Sequence, residues 1–136
     1  MDFVKSIAIA ASGLRAQAGR IRVISENIAN SDSIAPTPGG DPYRRRIPTF
    51  QAVMDSDVGG EVVKVGKIAY DTSDFQSRYE PGHPAADKNG YVKYPNVDPL
   101  IEAMDMREAQ RTYEANLNVV TVTRQMLGRT LDILKG

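Results

Sequence analysis

The sequence predicts an α+β fold, mainly α, in which two long terminal helices form an antiparallel coiled-coil hairpin that carries a small β insert. Three observations point there. All eight prolines of the 136-residue chain lie between Pro36 and Pro99. On either side of that stretch, apolar residues recur every seven positions. Within it, β-branched and aromatic residues alternate between turn formers. Proline removes a backbone donor and clashes inside a helix, so its confinement marks where continuous helix is permitted. The division is residues 1–32 for the N-terminal helix, 33–96 for the loop and β insert, and 97–136 for the C-terminal helix.

The first helix is expected from about Asp2 to Asn30. Ile7, Leu14, Ile21 and Ile28 fall every seven residues, with Val4, Ala11 and Ala18 between them. This is the 3.5-residue period of a coiled-coil seam. Ser25 interrupts it, and Ile24 partly replaces it. Asp2 is placed to cap the first turn, and Asn30-Ser31-Asp32-Ser33 stops the helix with turn formers. Phe3, Ala8, Ile9, Ala10, Ala16, Val23 and Ala29 spread apolar surface around the cylinder. A helix apolar on more than one face is buried by more than one neighbour.

The last helix announces itself with Asp98 as N-cap and Pro99 at the first helical position. Only Gly128 disturbs the run to about Leu134. Met106, Tyr113, Val120, Leu127 and Leu134 form one heptad row. Leu117 and Leu131 take alternate positions, where Gln110 and Arg124 are the weak links.

Between the helices, Ile34 to Pro42 reads as a mobile loop. Tyr43 to Val53 and Glu61 to Tyr70 read as strands joined by a turn at Val58-Gly59-Gly60. Val63 and Val65 alternate, then Ile68 and Tyr70 alternate after Gly66-Lys67, which suggests a bulge. Tyr91, Val92 and Tyr94 make one more short strand. The simplest packing puts this β unit at the far end of the helical hairpin, with both chain termini at the other end.

Composition excludes several functions. Lys plus Arg equals Asp plus Glu at 17, so there is no basic excess for nucleic acid or an anionic membrane. Cysteine is absent, which removes disulfides and thiolate metal sites. No apolar run is long enough to span a bilayer, and the start lacks the n- and h-regions of a cleaved signal. The single histidine, His83, sits in Glu80-Pro81-Gly82-His83-Pro84 and reads as an exposed loop residue without ligand partners. The nearest carboxylate pairs, Asp71 with Asp74 and Asp55 with Asp57, read as turn residues rather than acid–base partners. No cofactor is expected. Arg44-Arg45-Arg46 is the one charge run. Strand neighbours face opposite sides, so the run reads as a solvated edge strand or a partner contact rather than one patch.

Two segments carry a family resemblance. Ala11-Ser12-Gly13-Leu14-Arg15-Ala16-Gln17, followed by Arg20 to Asn30 with Asn27 and Asn30, resembles the N-terminal motif of bacterial flagellar rod and hook proteins. Ala109-Gln110-Arg111-Thr112-Tyr113-Glu114-Ala115-Asn116 resembles their C-terminal motif. In the insert, Asp41 to Arg46 and Pro84 to Val97 are similar to segments of the C-type proximal-rod subunits of that family. The short insert also suits a proximal-rod subunit; the B-type subunits are equally short. Ala103 and Arg107 depart from the usual Met and apolar residue.

The resemblance implies a structural protein and not an enzyme. It implies export through the flagellar type III channel without a cleaved signal, and helical assembly in the periplasm around a central channel. The partners would be copies of itself, other rod subunits, a membrane-ring protein and the export apparatus, with no small-molecule substrate. Phe3 and Ile7 fit the spacing of an export-recognition motif in such subunits. A B-type proximal-rod subunit and a cytoplasmic coiled-coil adaptor are the alternatives, and cell fractionation separates the adaptor from a rod subunit.

Overall fold

In chain order the protein contains α1 (Phe3–Ala29), β1 (Arg46–Ile47), β2 (Phe50–Asp55), β3 (Gly60–Val65), β4 (Ala69–Tyr70), β5 (Gln76–Tyr79), β6 (Tyr91–Tyr94) and α2 (Pro99–Lys135). These are read from a computed structural model, which describes residues 2–136. Two terminal helices and a small antiparallel β insert are present as expected. The expected caps are formed. Asp2 accepts from the Lys5 amide at 3.1 Å, and Asp98 accepts from the Leu100 amide at 3.0 Å. Past the last turn of α1, the Asn30 side chain donates to the Glu26 carbonyl at 2.9 Å and accepts from the Ser33 hydroxyl.

The insert is built from three two-stranded antiparallel ladders, β1–β4, β2–β3 and β5–β6. The two long strands expected from the sequence are therefore each divided. Pro48 separates β1 from β2, because proline has no amide to give the ladder. Gly66-Lys67-Ile68 separates β3 from β4. The Gly66 amide still donates to the Thr49 carbonyl at 2.7 Å, and the Thr49 hydroxyl donates to the Lys67 carbonyl, so pairing continues past the ends of β2 and β3. Gln76 to Tyr79 has no apolar alternation; it becomes a strand through its pairing with β6. In β3 the buried residues are Gly60 and Val62, and the expected alternating pair, Val63 and Val65, forms the more exposed face.

The chain forms two compact units that cut across the helix–insert–helix division. One holds the chain up to Ile21, Thr49–Lys67 and the chain from Arg107 onward. Here the β2–β3 hairpin lies along α1. Gly60 packs under Lys5 and Ile9, and Gly19 packs against Val65. The Ser12 hydroxyl accepts from the Val63 amide at 3.1 Å and donates to the Ile9 carbonyl at 2.6 Å. The hairpin thus accompanies the N-terminal helix instead of sitting at a far end. α1 and α2 run in opposite directions where they meet. Gly13 faces Asn116, and Arg20 lies 3.7 Å from Glu108. A Cβ at residue 13 would stand 2.8 Å from the Asn116 amide nitrogen, so glycine is what admits this approach. Apart from Val62, the buried side chains here are small or polar: Ala10, Ser12, Ala16, Ala109 and Thr123.

The second unit holds Arg22–Pro48 and Ile68–Met106. Val23, Ile24, Ala85, Val92, Pro95 and Val97 are its buried apolar residues. Two polar side chains are buried with them, Asn27 and Glu102, each 1% exposed. Asn27 treats β1 as a strand would. It accepts from the Arg46 amide at 3.0 Å and donates to the Arg46 carbonyl at 2.8 Å. The same side chain accepts from the Tyr43 hydroxyl at 2.8 Å and reaches Glu102 at 3.5 Å. Burial raises the Tyr43 phenol above its ordinary value.

Arg45 joins this cluster to the loop after β4. Its guanidinium forms a close ion pair with Glu102 and lies 3.4 Å from Asp71 and 3.7 Å from Asp105. Its backbone amide donates to Asn96, whose own amide donates to the Asp71 carbonyl. Burial opposes the charge of Arg45, but Glu102 and then Asp71 outweigh it and raise the guanidinium above its ordinary value. Asp71 is held below its ordinary value, first by donors from Ser73 and then by Arg45.

Two outcomes follow for this unit. Glu102→Ala leaves the Arg45 charge without its buried partner and is expected to lose about 3–5 kcal/mol in denaturant unfolding. For Asp71, a depressed folded value means its contribution is complete above the unfolded value of about 3.9 and vanishes as pH falls through the folded value. The stability gap between the parent chain and Asp71→Asn is therefore expected to be open at pH 7 and to close below about pH 4, measured by thermal melts across pH.

Candidate assembly surface

The residues singled out from the sequence divide into those consumed inside the chain and those left at its surface. The three arginines fall in the first group. Arg44 donates to the Asp71 and Ser73 carbonyls at 2.7 and 3.1 Å and covers the Phe75 ring at 4.2 Å. Arg45 is half-buried and pairs with acids as described. Arg46 pairs with Glu26 at 3.2 Å and lies over the Tyr43 ring. The expected solvated edge is instead an internal clamp, because each guanidinium finds an acceptor or a ring within its own unit.

Several motif residues are also structural. Ser12 caps the edge of β3, Gly13 admits Asn116, Asn27 pairs with β1, and Asn30 closes α1. Arg111 and Ala115 are exposed, and Tyr113 is half-buried. His83 is half-buried rather than exposed, and its Nδ1 accepts from the Ala85 amide at 3.0 Å, closing its own turn. Among the described residues, no group of histidines and carboxylates is arranged to hold a metal ion. Among the described residues, no helix is long and apolar enough to cross a membrane.

The heptad rows stand at intermediate depth. Ile7, Leu14, Ile21, Met106, Tyr113, Val120 and Leu127 are half-buried, and Ile28 is slightly more open. Leu117 is 44% exposed and Leu134 78%. The buried residues of α2 are Glu102, Ala109 and Thr123, which with the half-buried Asn116 form a seven-residue row of polar or small side chains. Helices in close approach accept such residues, which leaves larger apolar side chains outside. Phe3 is half-buried beside the exposed Val4.

What remains at the surface is apolar and extensive. On α2, Leu100, Ile101, Met104, Leu117, Val119, Val122, Met126, Leu131, Ile133 and Leu134 are all exposed. Large apolar side chains exposed in this number mark interaction surface. A groove of about 330 Å³ also opens between α1 and the hairpin, lined by Ala8, Ala11, Arg15, Val62, Val63 and Val65. The sequence reading missed two things. Glu102 resembles an ordinary first-turn acid, and nothing local marks it as buried. The exposed residues Ala115, Val119, Val122 and Met126 were detectable by their helical spacing but competed with the longer-range heptad rows.

Known proteins align with this chain from end to end. Residues 88–133, covering β6 and almost all of α2, match the family model described as the C-terminal part of the flagellar basal body rod FlgEFG proteins. A flagellar basal-body rod protein FlgC from Agrobacterium fabrum is 54% identical over 128 residues, 94% of this chain and 92% of that protein. The FlgC protein of Aquifex aeolicus is 36% identical, with 99% of both chains covered. That of Salmonella typhimurium is 41% identical over 92% of each. With both helices and the insert included in these matches, the chain belongs to the flagellar basal-body rod protein FlgC family.

Proposed function

We propose that this chain is a structural subunit of the proximal rod of the bacterial flagellum, not an enzyme. The observation that carries the reading is the end-to-end identity with proteins named for the basal-body rod. The unpartnered apolar surface of α2 supports it, since a subunit destined for a tube holds in reserve the surface its neighbours cover. In this reading the subunit leaves the cell by type III export, with Phe3 and Ile7 as recognition residues. It assembles in the periplasm with copies of itself and other rod subunits, between the membrane ring and the distal rod. α1 and α2 act as paired coiled-coil staves around the channel, and the rows through Ile7, Leu14, Ile21 and Ile28 and through Met106, Tyr113, Leu117, Val120, Leu127 and Leu134 face neighbouring subunits. The finished rod transmits torque. The arginine run is assigned to internal structure rather than to a partner.

Leu117→Asp and Leu134→Asp place a charge on exposed α2 positions, so the isolated variants are expected to keep the parent circular dichroism and melting temperature. In a strain lacking the native gene, each is expected to abolish swimming and stop assembly beyond the membrane ring. Normal swimming with both would remove the assembly role. Phe3→Ala is expected to lower secretion of the subunit while its synthesis continues, measured by immunoblot of cell and export fractions; unchanged secretion would remove Phe3 from export recognition.

A further inference from the structure

The β2–β3 hairpin has two edges, and only one of them is closed. On the β3 edge, the Ser12 hydroxyl takes up the Val63 amide at 3.1 Å. The ladder fixes which groups face outward on the β2 edge. The Gly66 amide donates to the Thr49 carbonyl, so the hydrogen-bonded pairs with β3 run through Thr49, Gln51, Val53 and Asp55. Phe50, Ala52 and Met54 hold the alternate positions and turn their amides and carbonyls away from β3. Among the described residues, no third strand and no other hydrogen-bonding group meets them.

This edge also lacks the usual protection. Lysine, proline or a bulge commonly blunts an edge strand, but Phe50-Gln51-Ala52-Val53-Met54 contains no charge, proline or glycine. Phe50 and Met54 are 41% and 67% exposed, and Ala52 between them is exposed as well. They share one face of the ladder with the exposed Val63 and Val65. Open backbone groups beside an exposed apolar face are what a further strand needs in order to add.

We infer that β2 pairs with β2 of a second copy of this chain, antiparallel and centred on Ala52. The segment complements itself. In this register Phe50 stands opposite Met54 of the second copy, and Ala52 stands opposite its own counterpart. Every outward amide and carbonyl of these residues then meets a partner. A thioether lies beside a ring on each side of the centre, which is a favourable contact. Sliding the pairing by two residues one way sets Met54 opposite Pro48, which has no amide. Sliding it the other way sets Phe50 opposite Ser56, beyond the end of β2. A parallel alignment lays Asp55 beside its counterpart, whereas the antiparallel one sets it opposite Thr49. The product is a four-stranded sheet, β3-β2-β2-β3, with Ser12 at each outer edge. It is two-fold and closes on itself, so it does not propagate. Four strands are also sturdier than the hairpin alone. The contact uses only the Thr49–Lys67 segment, within one compact unit. It goes beyond the rod reading and leaves the exposed side chains of α2 unused.

Sedimentation velocity of the purified full chain over a concentration series is expected to show a monomer–dimer equilibrium. Ala52→Pro removes an outward amide but no bond to β3, and Ala52→Lys sets two like charges face to face at the centre. Both are expected to sediment as monomer where the parent is dimeric, with unchanged far-UV circular dichroism. If Ala52→Pro fails to fold, Ala52→Lys decides the matter. The absence of cysteine allows the register to be read directly. Gln51 and Val53 form the close, non-hydrogen-bonded pairs of the inferred contact, within reach of a disulfide. Gln51→Cys and Val53→Cys, mixed under mild oxidation, are therefore expected to give the 51–53 disulfide well above the half share that random pairing yields. A parent that stays monomeric overturns the inference, and would mean that another protein, or nothing, covers this edge. A dimer that survives the Ala52 substitutions also overturns it, and would move self-association to another surface. So would a predominance of 51–51 and 53–53 disulfides. None of these outcomes alters the rod reading, which rests on different residues.

Discussion

The ion pair between Arg45 and Glu102 is the interaction on which its unit depends. Glu102 is withdrawn from water in the first turns of α2, and an unpaired carboxylate there would carry a large desolvation penalty. Arg45 answers it and spans to Asp71 and Asp105, so one guanidinium joins α2, the chain entering β1 and the loop after β4. Asn27 completes the arrangement from α1. It satisfies the backbone of Arg46 in both directions and touches Glu102. Buried ion pairs are weak sources of net stability but penalise every arrangement that leaves one partner unanswered. In this unit, where each ladder has only two strands, that selectivity specifies which segments meet.

The other unit is held differently. Its contacts come from the absence of side chain rather than from charge. Gly13, Ala16 and Ala109 let the two helices approach, and Gly60 lets the β2–β3 hairpin settle on Lys5 and Ile9. Ser12 spends its hydroxyl on the Val63 amide, which protects one edge of the hairpin from pairing with another chain. Small residues inside leave the leucines, isoleucines and methionines outside. For a free-standing protein that distribution is an aggregation liability; for a subunit awaiting neighbours it is stored interface.

Much of the fold was legible because it rested on local physics. Proline exclusion located both helices, Asp2 and Asp98 located their starts, and Asn30 located the end of α1. The strands were located less well. Pro48 and Gly66-Lys67 divided ladders that hydrophobic alternation alone had joined, and Gln76–Tyr79 became a strand only by pairing. The candidate surface was half legible. Heptad spacing found residues of intermediate depth, since 3.5-residue rows describe apolar content and do not say which row faces inward. Arg44, Arg45 and Arg46 looked like surface charge because their acceptors lie 25 or more positions away or, for Arg46, in the preceding helix.

The sequence by itself determined two uninterrupted terminal helices, a short β insert between them, and the exclusion of thiol chemistry, because proline, heptad spacing and cysteine count act through the local chain. It also carried the two motifs that identify the family. Only the tertiary structure decided that Glu102 is buried, that the arginine run finds its partners within its own unit, that the insert is shared between two units, and that the larger apolar side chains of α2 remain exposed. Each of those depends on partners distant in sequence, and burial is a property of what those partners cover rather than of the residue that is covered.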